Sequence, residues 1–261
     1  MERRPTTLDI NNVPSVFHHM VRGAKVFDCS CSPTARVYFL QKGGGYYLKI
    51  APKGSLKAEA DMTTFFYEHQ LGPEVFFYLC HDQDWLLTRA AQGEACLEKR
   101  YLDDPKRLCD TTATLLRRLH ELNTEECPIQ NRSADYLAAL DRNIHTVSDF
   151  HTTLPPFFGI GSQAEARAIA LANSHLLKSD TLIHGDYCLP NILLDRWHFS
   201  AFVDVGGGGV GDRHTDLFWG LWSLGYNLKT WDYSDRFLDV YGRETIEPDM
   251  LRIIAACECF G

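Results

Sequence analysis

Short runs rich in aromatic and aliphatic residues, separated by polar or glycine-rich stretches, recur through the first part of the chain and predict β-strands. The runs lie at residues 25–28, 36–40, 46–50, 75–78 and 84–88. After the third run, residues 55–71 place apolar side chains near a 3.6-residue period, and Gly72-Pro73 ends that helix. Glycines at residues 43–45 allow a tight turn between two strands, since glycine adopts positive φ without strain. The pattern therefore predicts a five-stranded antiparallel sheet with one helix.

After residue 91 the pattern becomes mainly helical. Apolar residues at helical spacing predict helices at residues 105–123, 135–150, 162–177, 212–224, 233–241 and 248–257. Short apolar runs among them predict strands at residues 181–183, 192–194 and 199–205. Residues 89–94 have the composition of a linker. We therefore predict an α+β protein with domains at residues 1–91 and 92–261, of which the second is larger and mainly helical.

Three side chains near the strands of the second domain have the chemistry that phosphoryl transfer needs. Asp186 and Asn191 lie in the loop between the first two of these strands, and Asp204 lies on the third. Such a site requires a carboxylate that faces the attacking hydroxyl, and an amide oxygen and a second carboxylate as Mg²⁺ ligands. Asp186, Asn191 and Asp204 can fill these roles in that order. Asp and Asn are also common turn residues, so the loop alone leaves an ordinary turn open.

Two features of the first domain fit a nucleotide triphosphate. Lys49 on a strand is followed ten residues later by Glu59 on the helix, and such a pair can aim the lysine at the phosphates. The loop at residues 29–34, which contains Ser32, is small and rich in hydroxyl groups, as expected where backbone amides approach phosphates. Both features also occur on ordinary protein surfaces. They therefore support a nucleotide site only in combination with the motif around Asp186.

The glycine-rich residues 206–211 (GGGGVG) match the G-x-G-x-x-G pattern of dinucleotide-binding folds. Such a fold needs another buried parallel strand after the helix, whereas residues 227–233 contain no β-branched run. We therefore expect no dinucleotide site. The chain also contains no Walker A sequence.

Composition narrows the partners and the compartment. A formal net charge of −8 argues against nucleic acid as a partner, because phosphate binding requires clustered Lys and Arg. The excess of acids suits a polycationic ligand, or it serves solubility alone. No apolar run approaches the length of a membrane span, and the start of the chain lacks a secretion signal. The nine cysteines show no zinc-binding spacing, so we expect reduced thiols in a cytoplasmic protein.

Taken together, the motifs resemble the aminoglycoside phosphotransferases, most closely the 3′-hydroxyl kinases. The likeness rests on residues 184–191 (HGDYCLPN), 202–206 (FVDVG) and 211–216 (GDRHTD), and it continues in family order through residues 37–38 (VY), 47–49 (YLK), 59–62 (EADM) and 119–122 (LHEL). The resemblance implies a bilobal protein-kinase-like fold with ATP or GTP between the lobes. Asp186 would be the catalytic base or the carboxylate that orients the hydroxyl, with Asn191 and Asp204 as the Mg²⁺ ligands. Lys49 would bind the phosphates, held in place by Glu59.

The same resemblance implies contacts for the nucleotide base and for the acceptor. Tyr47 would stack on adenine, and backbone groups of Arg89 and Ala91 would form hydrogen bonds with it. Glu258 and Phe260 match family positions in the acceptor site, where carboxylates bind a polycation.

At the acceptor site the sequence departs from the family pattern. Gly261 follows the usual terminal phenylalanine, and residues 225–227 (GYN) carry no acid where the family often has one. Gly207 stands where these kinases usually have arginine. Asp212 and Asp216 are expected to cap and brace a helix, since Asp suits its N-terminal turn.

We therefore predict an ATP- and Mg²⁺-dependent O-phosphotransferase that acts on the 3′-hydroxyl of an aminoglycoside antibiotic and so confers resistance. Two alternatives stay open. One is a kinase of the same fold that acts on another hydroxylated metabolite or antibiotic, and the other is a nucleotide-binding sensor without transfer activity. The oligomeric state does not follow from the sequence.

Overall fold

The computed structural model describes residues 3–31, 33–146 and 154–260. Two compact units make up the chain: Met1–Gln92 with Ala201–Gly206, and Gly93–Ser200 with Gly207–Gly261. The first crossing from one unit to the other lies beside the boundary predicted after residue 91, but the chain also returns to the first unit over residues 201–206. Nothing in the sequence pattern indicated this return. In the described ranges, no helix combines the length and apolar character needed to cross a membrane.

The first unit contains a six-stranded sheet in which all neighbouring strands are antiparallel. Its elements are β1 (Arg4–Thr6), α1 (His18–Val21), β2 (Lys25–Asp28), β3 (Arg36–Gln41), β4 (Tyr46–Pro52), α2 (Lys57–Glu68), β5 (Val75–Cys80) and β6 (Gln83–Arg89), with strand order β1-β2-β3-β4-β6-β5. The prediction of five strands and one helix is wrong in its counts, because β1 adds an edge strand and α1 adds a short helix. All residues of β1 are exposed, so no apolar alternation marks this strand in the sequence.

Strand β4 separates two buried clusters. Leu48 packs with Phe17 on one face of the sheet, and Ala51 packs with Ala60 of α2 on the other. Because successive side chains of a strand point to opposite faces, Lys49 shares the α2 face with Ala51. This alternation places the ammonium group of Lys49 where a residue of α2 can reach it.

The second unit is mainly helical. Its helices are α3 (Lys99–Leu102), α4 (Pro105–His120), α5 (Arg132–Asn143), α6 (Gln163–Asn173), α7 (Arg213–Leu228), α8 (Ser234–Tyr241) and α9 (Pro248–Cys257). Its strands are β7 (Glu94–Ala95), β8 (Thr181–Ile183), β9 (Ile192–Asp195), β10 (His198–Phe202) and β11 (Gly209–Gly211), of which β10 runs on into the first unit. Strand β9 pairs with β7 and β10, and β8 pairs with β11.

Local capping explains where helices depart from the predicted bounds. The side chain of Asn131 accepts a hydrogen bond from the amide of Ala134, so α5 begins before the predicted residue 135. Residues 147–150, the predicted end of that helix, lie outside the described residues. Helix α7 continues past the predicted residue 224 to Leu228. Helix α9 has the predicted bounds, with Pro248 in its first turn.

The glycine-rich residues form no dinucleotide-binding loop. Val205–Gly207 form a 3₁₀ turn, and β11 that follows pairs antiparallel with β8. A dinucleotide-binding unit requires a parallel pair joined by a helix, whereas β8 and β11 run antiparallel.

Candidate active site

The loop between β8 and β9 holds two of the predicted catalytic residues in direct contact. The side-chain amide of Asn191 donates to the Asp186 carboxylate (Nδ2 to Oδ2, 2.8 Å) and to the Asp186 carbonyl oxygen (3.0 Å). Asn191 ends the 3₁₀ turn Leu189–Asn191, directly before β9. These contacts fix the direction of the Asp186 carboxylate. They use the amide nitrogen of Asn191 and leave its oxygen available as a ligand.

The buried carboxylate of Asp216 in α7 anchors the start of this loop. It accepts hydrogen bonds from the backbone amides of His184 (2.6 Å) and Gly185 (2.8 Å), and Nε2 of His120 lies 3.2 Å from it. Asp216 lies in the first turn of α7 as expected, and its hydrogen bonds to the catalytic loop are a further role that the sequence did not indicate. Asp212 caps α7 as expected, since its side chain accepts a backbone amide of the first turn (3.0 Å).

Gly185 and Gly207 approach each other so closely that neither position has room for a side chain. Gly185 has φ of +82°, and a Cβ atom there would lie 2.0 Å from the carbonyl oxygen of Gly207. A Cβ atom on Gly207 would lie 2.9 Å from the carbonyl oxygen of Gly185. The resemblance leads one to expect arginine at position 207. The close approach of Gly185 explains why this chain has glycine there.

In the first unit, Lys49 lies between two carboxylates. Its Nζ atom is 2.7 Å from Oε2 of Glu59 and 3.1 Å from Oδ1 of Asp204. Burial alone lowers the pKa of Lys49, but the two carboxylates outweigh burial and raise it above its ordinary value. Burial also raises the pKa of Glu59, against the opposing charge of Lys49. Lys49 is therefore held as an ammonium group, with Glu59 fixing its direction.

The backbone at Asp204 adopts φ of +59°, a left-handed conformation that few residues other than glycine take. Asp and Asn tolerate it better than other residues do, and such strain is often kept at functional sites. The turn ends β10 at Phe202, short of the predicted residue 205. It also aims the Asp204 carboxylate at Lys49.

Aromatic residues lie beside Lys49 on the same face of the sheet. Tyr47 precedes Lys49 by two residues, and its ring packs against Phe39 with the centroids 5.2 Å apart. The guanidinium group of Arg3 lies 3.6 Å from the centroid of the Phe39 ring and donates to the hydroxyl of Tyr47 (3.2 Å). Tyr47 thus combines an aromatic surface with a neighbouring cation.

The remaining residues predicted for the nucleotide lie at the end of β6 and in the hydroxyl-rich loop. Arg89 ends β6, and its backbone amide donates to the carbonyl oxygen of Glu74 (2.9 Å). Ala91 follows two residues later, still within the first unit. Ser32 lies outside the described residues. The neighbouring Ser30 uses its hydroxyl within the loop, where it accepts the amide of Val37 (2.9 Å).

Glu258, predicted for the acceptor, is a buried carboxylate in the second unit. Tyr136 donates its hydroxyl to Oε1 of Glu258 (3.0 Å), and the side chain of Trp219 also forms a hydrogen bond with this carboxylate. Burial raises the pKa of Glu258 to about 7, the two hydrogen bonds oppose the rise, and the charge of Asp186 adds to it. Tyr136 and Trp219 carry no signal in the sequence, because each reaches Glu258 from a distant part of the chain.

Phe260, also predicted for the acceptor, is a core residue. Its ring is fully buried in a cluster between α5, α6 and α9 that includes Leu140 and Ala166. The ring has no exposed surface, and its burial fixes the end of α9 beside Glu258. The contact of Phe260 with an acceptor stays a prediction.

The described residues contain no group of three or more His, Cys, Asp or Glu side chains arranged to hold a metal ion. A cavity of about 460 Å³ in the first unit is lined by Tyr38, Ile50 and Trp85, among others. Ile50 is next to Lys49 on β4, so its side chain points to the opposite face of the sheet. The cavity is also lined by Ala51, which lies on the Lys49 face, and by Thr34 of the hydroxyl-rich loop.

The chain is similar to known phosphotransferases along most of its length. Residues 34–253 match a family model described as the phosphotransferase enzyme family. A probable aminoglycoside 3′-phosphotransferase from Lactococcus lactis subsp. lactis (strain IL1403) is 45% identical over 97% of this chain and 97% of its own. An aminoglycoside 3′-phosphotransferase from Streptomyces fradiae is 30% identical over 78% of this chain and 81% of its own.

Solved structures share the fold. The crystal structure of an aminoglycoside 3′-phosphotransferase of type VIII matches 92% of this chain and 94% of its own, with a TM-score of 0.71 and 24% identity. An aminoglycoside phosphotransferase from Streptomyces rimosus, in complex with ADP and streptomycin, matches 86% of this chain and 90% of its own, with a TM-score of 0.62 and 23% identity. This chain therefore belongs to the phosphotransferase enzyme family and has its kinase-like α+β fold. The resemblance and the fold class predicted from the sequence are confirmed.

Proposed function

We propose that this protein is a kinase that transfers the γ-phosphoryl group of ATP, or of GTP, to the 3′-hydroxyl of an aminoglycoside. The observation that carries the acceptor is the 45% identity, over 97% of the chain, with a relative named a probable aminoglycoside 3′-phosphotransferase. The solved neighbour that holds ADP and streptomycin supports a nucleotide and an aminoglycoside as the two substrates. Such an enzyme would inactivate the antibiotic and confer resistance.

In this proposal the carboxylate of Asp186 receives the hydrogen bond of the attacking hydroxyl. The amide of Asn191 holds one carboxylate oxygen of Asp186 at 2.8 Å, so the carboxylate presents a fixed acceptor. Phosphoryl transfer has a loose transition state that needs little deprotonation of the nucleophile. Asp186 therefore acts chiefly by orienting the hydroxyl for in-line attack.

The donor atoms of Asn191 and Asp204 fit Mg²⁺, a hard cation that prefers oxygen ligands. The Asn191 amide uses its nitrogen in the bond to Asp186, which leaves its oxygen for the metal. Asp204 directs Oδ1 toward Lys49, and its side chain is 55% exposed, so Oδ2 stays accessible. When bound, Mg²⁺ would neutralise charge that develops on the transferred phosphoryl group.

The first unit supplies the groups proposed for the nucleotide. Lys49, held by Glu59, would bind phosphate oxygens as a fixed positive charge. Tyr47 would stack on the base, with Arg89 and Ala91 offering backbone groups at its edge. We accordingly propose residues 1–91 as the nucleotide-binding domain and residues 92–261 as the domain that carries the catalytic loop and the acceptor site.

Glu258 is proposed to bind an ammonium group of the acceptor. It is a buried carboxylate whose pKa lies near 7, so a cation beside it would gain a strong partner by displacing a proton. The net charge of −8 favours the approach of a polycation over a distance. The proposed use of ATP, together with nine cysteines that form no disulfide bond in the described residues, supports action in the cytoplasm.

The direct test is ADP release in the presence of ATP and Mg²⁺ with a panel of acceptors. Kanamycin, neomycin and amikacin carry the proposed chemistry, whereas hygromycin, choline, homoserine and simple sugars test the alternatives. Turnover that requires a free 3′-hydroxyl on an aminoglycoside supports the proposal. Turnover on another acceptor would keep the mechanism and replace the substrate, and nucleotide binding without any turnover would favour the sensor.

A matched pair of variants separates chemistry from binding in this assay. Asp186→Asn should lower kcat by about 10² to 10⁴ while leaving nucleotide affinity unchanged, because it removes the carboxylate that orients the hydroxyl. Asp195→Asn makes the same chemical change at a side chain 55% exposed at the end of β9 and should keep wild-type turnover. Equal activity in both variants would contradict the role of Asp186.

A further inference from the structure

An arginine directly before strand β1 reaches the aromatic face of the sheet in the first unit. Strand β1 pairs antiparallel with β2, and Pro5 lies opposite Phe27. Because side chains of an extended strand alternate between its faces, Arg3 shares the face of Pro5 and Phe27. On this face Phe27 packs in a small apolar cluster with Phe39 and Tyr47. The pairing of β1 with β2 therefore brings a cation to these rings.

The guanidinium group of Arg3 makes two contacts with this cluster. It lies 3.6 Å from the centroid of the Phe39 ring, within the range of about 6 Å at which a ring quadrupole attracts a cation. Its Nη2 atom donates to the hydroxyl oxygen of Tyr47 at 3.2 Å. The rings of Phe39 and Tyr47 also contact each other, with centroids 5.2 Å apart. Tyr47 is thus held through its ring by Phe39 and through its hydroxyl by Arg3.

Phe39 also connects this cluster to the end of β6. A Cβ atom on Gly45 would lie 2.8 Å from the Phe39 ring and 3.2 Å from Cβ of Ala90, so the ring fills the space that Gly45 leaves open. Phe39 and Ala90 are buried in the same cluster. Ala90 lies between the two residues whose backbone groups are proposed for the edge of the base. The rings beside Arg3 therefore adjoin the region proposed for the base.

We propose that Arg3 is a positioning residue of the nucleotide site, which holds the Tyr47 ring in the orientation that stacks on the base and so sets the affinity for the nucleoside part of the donor. The inference rests on the proposed function and names the part of the nucleotide that Arg3 serves. Tyr47 is half-buried, so a ring released from Arg3 can adopt other rotamers. A ring that is fixed before the nucleotide arrives loses little rotamer freedom on binding, which strengthens binding.

The strand register separates Arg3 from the groups proposed for the phosphates. Phe39, the ring that Arg3 covers, lies opposite Tyr47 in the β3–β4 pair, whereas Lys49 lies opposite Val37. Two residues along a strand span about 7 Å. Arg3 is therefore placed at the nucleoside end of the proposed site, and Lys49 at its phosphate end.

Substitution of Arg3 tests this division between nucleoside and phosphates. Arg3→Ala should raise the KM for ATP about fivefold and leave kcat and the acceptor KM unchanged, because the Tyr47 ring is then ordered only on binding. Calorimetric titration with a nucleoside alone, adenosine or guanosine according to the better donor, should show a similar loss of affinity. Titration with inorganic tripolyphosphate should give the wild-type affinity. Arg3→Lys keeps a cationic donor and should restore the KM for ATP to within about twofold of wild type.

A double-substitution cycle tests whether Arg3 acts through Tyr47. Tyr47→Phe keeps the ring and removes the hydroxyl that accepts from Arg3. Each single variant should raise the KM for ATP about fivefold, and the double variant should raise it no further, since both changes remove the same contact. The matched control is Arg22→Ala, at another exposed arginine of the first unit, and it should leave every affinity at the wild-type value.

The outcomes separate this inference from the proposed function. Wild-type nucleoside affinity in Arg3→Ala, with normal turnover of aminoglycosides, would overturn the role of Arg3 and leave the proposed function standing. A loss of tripolyphosphate affinity in Arg3→Ala would also overturn it, because Arg3 would then be a phosphate ligand. Effects of Arg3→Ala and Tyr47→Phe that multiply in the double variant would overturn the route through Tyr47. A wild-type protein that neither binds these probes nor releases ADP would overturn both proposals.

Discussion

Replacing Glu258 by Gln should change how the stability of the protein depends on pH. Burial raises the pKa of Glu258 from its ordinary 4.5 to about 7. An acid with a higher pKa in the folded state binds more protons when folded, so it favours the folded state less as the pH rises from 4.5 through 7. The wild type should therefore lose stability over this range relative to the Gln variant, which has no carboxyl group to ionise.

The size of the effect follows from the pKa. One pKa unit corresponds to about 1.4 kcal/mol, so ionised Glu258 destabilises the fold by about 3 kcal/mol above pH 8. Between pH 5 and pH 8, the free energy of unfolding of Glu258→Gln should rise by about 2 to 3 kcal/mol relative to the wild type. The amide cannot reproduce both hydrogen bonds of the carboxylate, to Tyr136 and Trp219, but that loss does not vary with pH and cancels in the comparison.

Urea denaturation of both proteins at several pH values, followed by tryptophan fluorescence, measures this difference. Glu68→Gln, at an exposed glutamate of α2, is the matched control and should show no comparable trend. A stability difference between wild type and Glu258→Gln that stays constant from pH 5 to pH 8 would refute the reasoning. The pKa of Glu258 would then not be raised by folding, and the argument that its carboxyl group exchanges a proton for a bound cation would fail.

Three further predictions concern the loop and the lysine cluster. Lys49→Met should lower kcat/KM for ATP about 100-fold in the ADP-release assay, because it removes the cation proposed for the phosphates, whereas the exposed Lys57→Met should not. Asp216→Asn should lower the free energy of unfolding by about 2 to 3 kcal/mol in urea denaturation, since a buried acceptor of several hydrogen bonds loses an oxygen. Gly185→Ala should unfold at a lower temperature in calorimetry and lose turnover, because its Cβ would meet Gly207; wild-type melting would contradict the contact.

Local signals predicted much of this fold from the sequence. Residues 181–183 and 248–257 have their predicted bounds, because an apolar run and a proline in the first turn act over a few residues. The pairing of Lys49 with Glu59 also follows from short-range spacing on a strand and the next helix. The roles of Asp186 and Asn191 could be predicted from the sequence because both residues lie in one motif.

Contacts between distant parts of the chain escaped prediction. Asp216 binds backbone amides about thirty residues earlier in the chain, and no side-chain pattern records which backbone groups need an acceptor. Strand β1 has no apolar alternation, because an exposed edge strand requires only backbone pairing. Phe260 resembled a ligand contact by its position, and only the packing of three helices shows that it is a core residue.

The return of residues 201–206 to the first unit determines how the protein can be dissected. The ring of Phe202 packs edge to face on Phe66, with centroids 6.2 Å apart, and its backbone amide bonds to the carbonyl oxygen of Leu71 (2.7 Å). A fragment cut after residue 92 would lose both contacts, along with the carboxylate that Asp204 presents to Lys49. The first half expressed alone should therefore bind nucleotide poorly, unless the fragment also carries residues 201–206. Gene fusions or split reporters built on this protein face the same topological constraint.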